Sequence, residues 1–202
     1  MQRYEFFLIF VTLIYRNMKQ KALRKILWEE AGKAGLVLGL TSTAYLFLTQ
    51  YLGSAQISDT VKMLAAALLW AAKFGGCIYF MASYMKKFAN QDKAIDNKTV
   101  LRFGLAASLL SAMIYAAASF ANTAYISSEL IHEQFDILMQ QMAPMMDSNS
   151  LSQIDEMMAN LPQITFFSNL FYCFIYGGVL SLILSHIIPS KNPFENNTPD
   201  QQ

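Results

Sequence analysis

The chain has few of the side chains on which active sites and metal centres depend. Its 202 residues include only two cysteines, Cys77 and Cys173, and two histidines, His132 and His186. Two thiols are too few for a structural zinc site, which takes four ligands. The formal net charge is only +1 at pH 7, so bulk charge indicates no nucleic-acid partner. No catalytic, cofactor-binding or metal-binding residue is therefore assigned, and the sequence predicts a protein that is not an enzyme.

Long apolar stretches dominate the chain instead. Four of them, of 20, 25, 27 and 25 residues, cover 34–53, 61–85, 100–126 and 164–188. At about 1.5 Å of rise per residue, helices of these lengths reach roughly 30 to 40 Å, enough for a hydrocarbon core of about 30 Å. The sequence predicts an all-α protein whose partner is the lipid bilayer, with an integral membrane four-helix bundle over 34–188.

Carboxylates are absent from all four stretches, yet Lys73 lies midway along 61–85, about 18 Å from either end. A charge at that depth costs about 2.5 to 3.5 kcal/mol on insertion scales, so the fold must compensate it. Candidate compensating groups are a water-filled cavity, a carboxylate of a partner, or polar side chains of the other stretches. Those side chains are Ser42, Ser108, Asn122 and Asn169. Lys73 is thus a candidate functional residue, with a purely structural lysine as the alternative.

Charge is distributed unevenly between the connections. Six basic residues lie in 16–33, just before the first stretch, and five lie in or beside the second connection, whereas 127–163 carries six acidic residues and no Lys or Arg. Because cytoplasmic segments are enriched in Lys and Arg, both termini are expected in the cytoplasm and 127–163 on the opposite side.

The two ends of the chain are predicted separately. Residues 1–17 contain an apolar run, 4–15, that is too short to span a membrane. We interpret 1–17 as a mis-annotated upstream extension before a start at Met18, or as an interfacial segment. Residues 18–33 are predicted to form a basic amphipathic lead-in helix on anionic lipid, with its charges forming a solvated face rather than a dedicated lipid site. Residues 189–202 are predicted to be a disordered polar tail.

The acidic connection has two amphipathic patterns. Apolar residues recur at helical spacing from Ile131 to Met142 and again from Leu151 to Leu161, with Pro144 between them. This pattern predicts an outer helical hairpin over 127–163, packed against the end of the bundle.

Small residues recur at a spacing of four within the stretches, which lets helix backbones approach closely in lipid. The candidate helix-packing residues are Gly35, Gly39, Gly104, Ser108, Gly177 and Ser181. Cys77 and Cys173 are interpreted as packing residues rather than as a disulfide or metal pair.

Four short runs carry a resemblance to a known family. They are 28–36 (WEEAGKAGL), 70–76 (WAAKFGG), 120–122 (FAN) and 165–169 (TFFSN). Through them the chain, from Lys19 to about Phe194, resembles the bacterial membrane proteins catalogued as domain of unknown function 4199. The resemblance implies a multi-pass inner-membrane protein with four spans and an extended outer connection, beginning near Met18. Genes of family members lie near genes of membrane glycosyltransferases, so the resemblance also implies a role in envelope assembly.

Two classes of function are consistent with these features. One is a non-catalytic accessory or scaffold component of envelope assembly that recognises a membrane-protein partner. The other is a small homo-oligomeric transporter or channel-like protein that uses Lys73 to bind an anionic ligand. A solvated cavity at Lys73 would favour transport, and a packed amine would favour the scaffold.

Overall fold

The computed structural model describes residues 2–55, 57–91, 95–142 and 147–188, which form six α-helices. They are α1 (Gln2–Ser54), α2 (Asp59–Ala89), α3 (Asn97–Ala121), α4 (Ser128–Met142), α5 (Ser148–Ala159) and α6 (Leu161–Ile187). Four of them, α1, α2, α3 and α6, contain segments long and apolar enough to cross a membrane. The predicted all-α fold with four such helices is confirmed, and the protein is a membrane protein.

The first membrane helix is longer than the predicted stretch 34–53. Helix α1 runs from Gln2 to Ser54 without interruption, so the predicted lead-in 18–33 and the first span form one continuous helix. The lead-in is rich in good helix formers such as Lys, Ala, Leu and Glu, and no proline follows it within α1. Lys33 also bridges the preceding turn, with its Nζ 2.7 Å from Glu30 Oε1 and 3.7 Å from Glu29 Oε1. The predicted tail 189–202 lies outside the described residues.

Local hydrogen bonds set the two ends of α3. Asp96 caps its start by accepting the Thr99 backbone N–H at 2.9 Å and the Thr99 hydroxyl at 2.5 Å. The Thr99 hydroxyl is the main reason that the pKa of Asp96 lies below its usual value. After Ala121 the helix continues as a π-helical turn, Asn122–Ile126, in which the Ser127 N–H donates to the Asn122 carbonyl at 2.8 Å.

Helix α3 is the centre of the bundle and packs along both α1 and α6, while α2 packs mainly on α1. The buried residues of α2 all lie between Met81 and Ala89, at the end that carries Lys86 and Lys87. We call this the basic end of the bundle. There Phe88 stacks on Phe103 with ring centroids 4.5 Å apart. Because α2 is tightly packed only at the basic end, room is left beside its middle.

The opposite end of the bundle, which carries 127–163, is called the acidic end. Its connection contains two helices, α4 and α5, as predicted. Among the described residues, α4 packs on the π-helical turn and α5 on the start of α6, and they pack little on one another. Each of the two helices is thus anchored to the span beside it. The turn predicted at Pro144 lies outside the described residues.

Candidate functional site around Lys73

Lys73 lies fourteen residues after the start of α2 and sixteen before its end. These separations place its backbone about 21 and 24 Å from the two ends. Its Nζ lies over three aromatic rings, 4.6 Å from the centroid of Tyr45, 5.1 Å from that of Tyr115 and 5.8 Å from that of Phe74. The three rings come from α1, α3 and α2, so three helices enclose the amine.

The attraction between these rings and the amine is large enough to offset the cost of placing a charged lysine in the membrane. A cation within about 6 Å of an aromatic centroid gains about 0.5 to 1 kcal/mol when exposed and about 2 kcal/mol when desolvated. Two or three such contacts are comparable with the insertion cost of about 2.5 to 3.5 kcal/mol for a lysine at the centre of a membrane helix. Lys73 is therefore held by aromatic faces, which were not among the candidate groups predicted from the sequence.

The polar side chains predicted to compensate Lys73 have other partners. The Ser108 hydroxyl donates to the Gly104 carbonyl at 2.8 Å, and Asn169 Nδ2 donates to the Ser119 hydroxyl at 3.0 Å. Each bond fixes a contact within or between α3 and α6. These two of the candidate groups therefore form hydrogen bonds elsewhere, although Ser108 also lines the space beside Lys73.

The other two predicted partners are also engaged. Asn122 Oδ1 accepts a hydrogen bond from the Ser127 hydroxyl at 3.3 Å, at the acidic end. Ser42 Oγ lies 4.0 Å from the thiol of Cys77. Ser42 still contributes to the site, because it lines the space beside Lys73.

That space is a cavity of about 60 Å³ between α1, α2, α3 and α6. It is lined by Lys73 together with hydroxyl, thiol and aromatic groups, which include Ser42, Cys77, Cys173 and Tyr176. One water occupies about 10 to 15 Å³ on this measure, so the cavity has room for a few waters and is far smaller than the roughly 300 to 1,000 Å³ of ligand pockets.

The fold brings the two cysteines to the same cavity, although they are 96 residues apart in the chain. Both are free thiols and half-buried. Among the residues that the structure describes, no three His, Cys, Asp or Glu side chains are grouped as metal ligands.

The candidate packing residues lie at close helix contacts. Gly35 and Gly39 lie where α1 meets α3: a Cβ at either position would be 2.7 Å from Leu110 Cβ or 2.8 Å from Ile114 Cβ. Gly104 and Gly177 lie where α3 meets α6. Their missing Cβ atoms would fall 2.7 Å from the Cβ atoms of Ser181 and Ser108, respectively.

A second polar cluster lies at the acidic end, and it was not predicted from the sequence. Gln50, near the end of α1, donates from Nε2 to the hydroxyl of the buried Ser127, which in turn donates to Asn122. The cluster ties α1 to the point where α3 changes into the π-helical turn. A lone glutamine four residues before the end of a span gives no sequence signal for this contact.

The aromatic partners of Lys73 had a weak sequence signal. Tyrosine prefers the membrane–water interface, so Tyr115 in the middle of 100–126 is unusual. Tyr45, well inside the first span, is unusual for the same reason. Because these residues come from different helices, only the packing of the helices shows that they meet at one lysine.

Comparison with known proteins identifies a family. The profile of the family described as "Protein of unknown function (DUF4199)" matches residues 33–189. No curated protein and no solved structure matches the chain.

Proposed function

Because the chain belongs to the DUF4199 family of proteins of unknown function, we propose its role from its own geometry: a non-catalytic accessory or scaffold protein of envelope assembly. In this role it lies in the bacterial inner membrane with both termini in the cytoplasm. Its acidic end binds a membrane-protein partner. The observation that carries this proposal is the exposed apolar surface of α4 and α5.

That surface is substantial for helices outside the membrane spans. Leu130, Ile137 and Leu138 of α4 are each about half exposed, as is Met157 of α5. Contiguous apolar side chains rimmed by polar residues are typical of protein interaction sites. An amphipathic helix whose apolar face is uncovered is a common peptide-in-groove ligand.

The charge of the same connection favours a protein over a lipid surface as the partner. The connection 127–163 has six acidic residues and no Lys or Arg. Helices that lie on anionic membranes instead have basic polar faces. A partner with an apolar groove and a basic rim would complement both properties of α4.

The arrangement of Lys73 supports the same role. Three rings already compensate its charge, and the cavity beside it has room for a few waters only. Such a lysine fixes the mutual positions of α1, α2 and α3. A packed amine of this kind supports the scaffold over a site that binds an anionic ligand.

Site-specific photocrosslinking in native membranes tests the proposal. A photoreactive residue at Leu138 should give a discrete product with a second membrane protein. The matched control is Asp136, which is exposed two positions earlier on the opposite side of α4. Asp136 should give no such product, because it lies about 160° away around the helix.

Complementation supplies the functional readout. The double variant Ile137→Ser, Leu138→Ser should lose both the crosslinked product and the ability to complement a deletion strain, whereas Asp136→Asn should keep both. Equal crosslinking from both faces, or products with lipid alone, would contradict a protein-docking role.

A second candidate function is a small oligomeric transporter that binds an anionic ligand at Lys73. One observation favours it: the lysine lines a cavity with hydroxyl groups in the middle of the bundle. Oligomerisation would have to widen that cavity, because its present volume is about 60 Å³.

Lys73→Met separates the two functions. In the scaffold, the variant should lose some stability but still crosslink through Leu138 and complement the deletion strain when its abundance is restored. In the transporter, complementation should fail at normal abundance. Lys62→Met is the control, since Lys62 lies at the start of the same helix and its Nζ donates to the Gly53 carbonyl at 3.3 Å.

A further inference from the structure

A cleft of about 770 Å³ lies at the basic end of the bundle, on the side away from α2. Most of its lining comes from α1 and α3, and Phe174 of α6 completes it. Arg24 of α1 and Arg102 of α3 both line it, so two guanidinium groups from different helices share one space. Thr99, one turn before Arg102, adds a hydroxyl group to the same lining.

Among the side chains that the structure describes, neither arginine has an acidic partner. The ion pairs at 4 Å or less among those side chains are those of Lys33 with Glu29 and Glu30. Arg24 and Arg102 are both exposed. Two guanidinium groups facing one space repel each other unless an anion lies between them, and guanidinium geometry suits a phosphate well.

Below the arginines the cleft becomes apolar. Leu105, Ala106 and Leu109 of α3 line it, with Phe174 opposite. From Thr99 to Leu109 the cleft follows ten residues of helix, or about 15 Å. That length equals half of a hydrocarbon core of about 30 Å, so the cleft reaches from the headgroup region to the middle of the bilayer.

Trp28 lines the mouth of the cleft and is 56% exposed. Tryptophan is enriched at headgroup depth. Its position therefore sets the level at which a lipid headgroup would meet the two arginines.

We propose that this cleft binds one anionic phospholipid. The phosphate is held by Arg24 and Arg102, and one acyl chain lies along Leu105, Leu109 and Phe174. Basic pockets between membrane helices are suited to such headgroups. A soluble anion would use the arginines but would leave the apolar part of the cleft unused. The proposal does not depend on the function proposed above.

Native mass spectrometry of the detergent-purified full chain provides the test. The probes are phosphatidylglycerol and phosphatidylethanolamine with identical acyl chains. A nearby arginine contributes about a fivefold preference for an anionic headgroup, so Arg24→Gln with Arg102→Gln should weaken phosphatidylglycerol binding about 25-fold. Binding of phosphatidylethanolamine should change much less.

The matched control is Lys86→Gln with Lys87→Gln, which removes the same charge from the basic end but outside the cleft. It should change phosphatidylglycerol binding by less than about twofold. A loss as large as that of the arginine variant would show diffuse attraction to the basic end and would overturn the site.

A second pair of variants tests the apolar part with both arginines intact. Leu109→Trp should fill the cleft and weaken phosphatidylglycerol binding, whereas Met113→Trp, one turn further along the exposed face of α3, should not. Tight binding of soluble glycerophosphoglycerol, or equal affinity for the two lipids, would also overturn the proposal.

Discussion

The contact between α3 and α6 depends on the absence of one side chain, and Gly177→Ala tests this directly. A Cβ at Gly177 would lie 2.5 Å from Ser108 Oγ, 2.7 Å from Ser108 Cβ and 3.5 Å from its Cα. Ordinary van der Waals contact begins at about 3.4 Å. The added methyl group therefore overlaps by about 0.7 Å with a Cβ that cannot rotate away, so the two helices must separate.

Overpacking of this kind costs about 1 to 3 kcal/mol. The exchange of glycine for alanine also changes helix propensity by up to about 1 kcal/mol in the opposite direction. Gly75→Ala is the control that removes this second effect, because a Cβ at Gly75 meets nothing within 4 Å. The difference between the two variants should therefore be about 1 to 3 kcal/mol, with Gly177→Ala the less stable.

The free energy of unfolding is measured by titrating the purified protein from mild detergent into SDS and following its tryptophan fluorescence. Removing the opposing side chain with Ser108→Gly should rescue Gly177→Ala, which gives a coupling energy of about 0.5 to 3 kcal/mol in a double-mutant cycle. Equal stability of the Gly177 and Gly75 variants, or a coupling energy of zero, would refute the close-contact argument.

Three further predictions concern the cap of α3, the contact of α3 with α6, and the orientation of the chain in the membrane. Asp96→Ala should cost about 1 kcal/mol at neutral pH. The pKa of Asp96 is lowered in the folded state, so the wild type should keep its full extra stability above the unfolded-state pKa, near 3.9. This extra stability should disappear as the pH falls through the folded-state pKa. A difference in unfolding free energy that stays the same in acid would contradict the argument. Asn169→Leu should lower the free energy of unfolding in SDS by about 0.6 to 1.7 kcal/mol, because it removes the hydrogen bond to Ser119. The control is Phe167→Leu, at an exposed position of the same helix. A single cysteine at Ser54, in a chain without the native cysteines, should react with an impermeant thiol reagent in intact spheroplasts; reaction only after lysis would reverse the proposed orientation.

Much of the architecture was predictable because the bilayer constrains it strongly. Backbone groups in lipid must bond within the segment, so an apolar stretch of sufficient length forms a helix whatever its neighbours are. The prediction of four such helices needed only lengths and hydropathy. The two amphipathic helices of the acidic connection followed in the same way from the spacing of residues such as Ile131 and Phe135.

The boundaries were less predictable. Hydropathy locates the apolar stretch but not the polar helical turns that extend it. The predicted boundary between the lead-in and the first span is therefore not a helix boundary, and α1 continues through it. For α4 and α5, the amphipathic pattern predicted that each helix has an apolar face, but it does not show what covers that face.

The candidate sites were also predictable only in part. The sequence by itself determined that Lys73 would be a costly charge at mid-membrane depth and that small residues would recur along three of the membrane helices. Only the tertiary structure decided that Tyr45, Tyr115 and Phe74 compensate that charge, and that Arg24 and Arg102 share one cleft. The physical reason is that helix formation and burial in lipid are local properties of a segment. The meeting of side chains on different helices depends instead on the rotation and depth of each helix, which are set by packing contacts between residues distant in the chain.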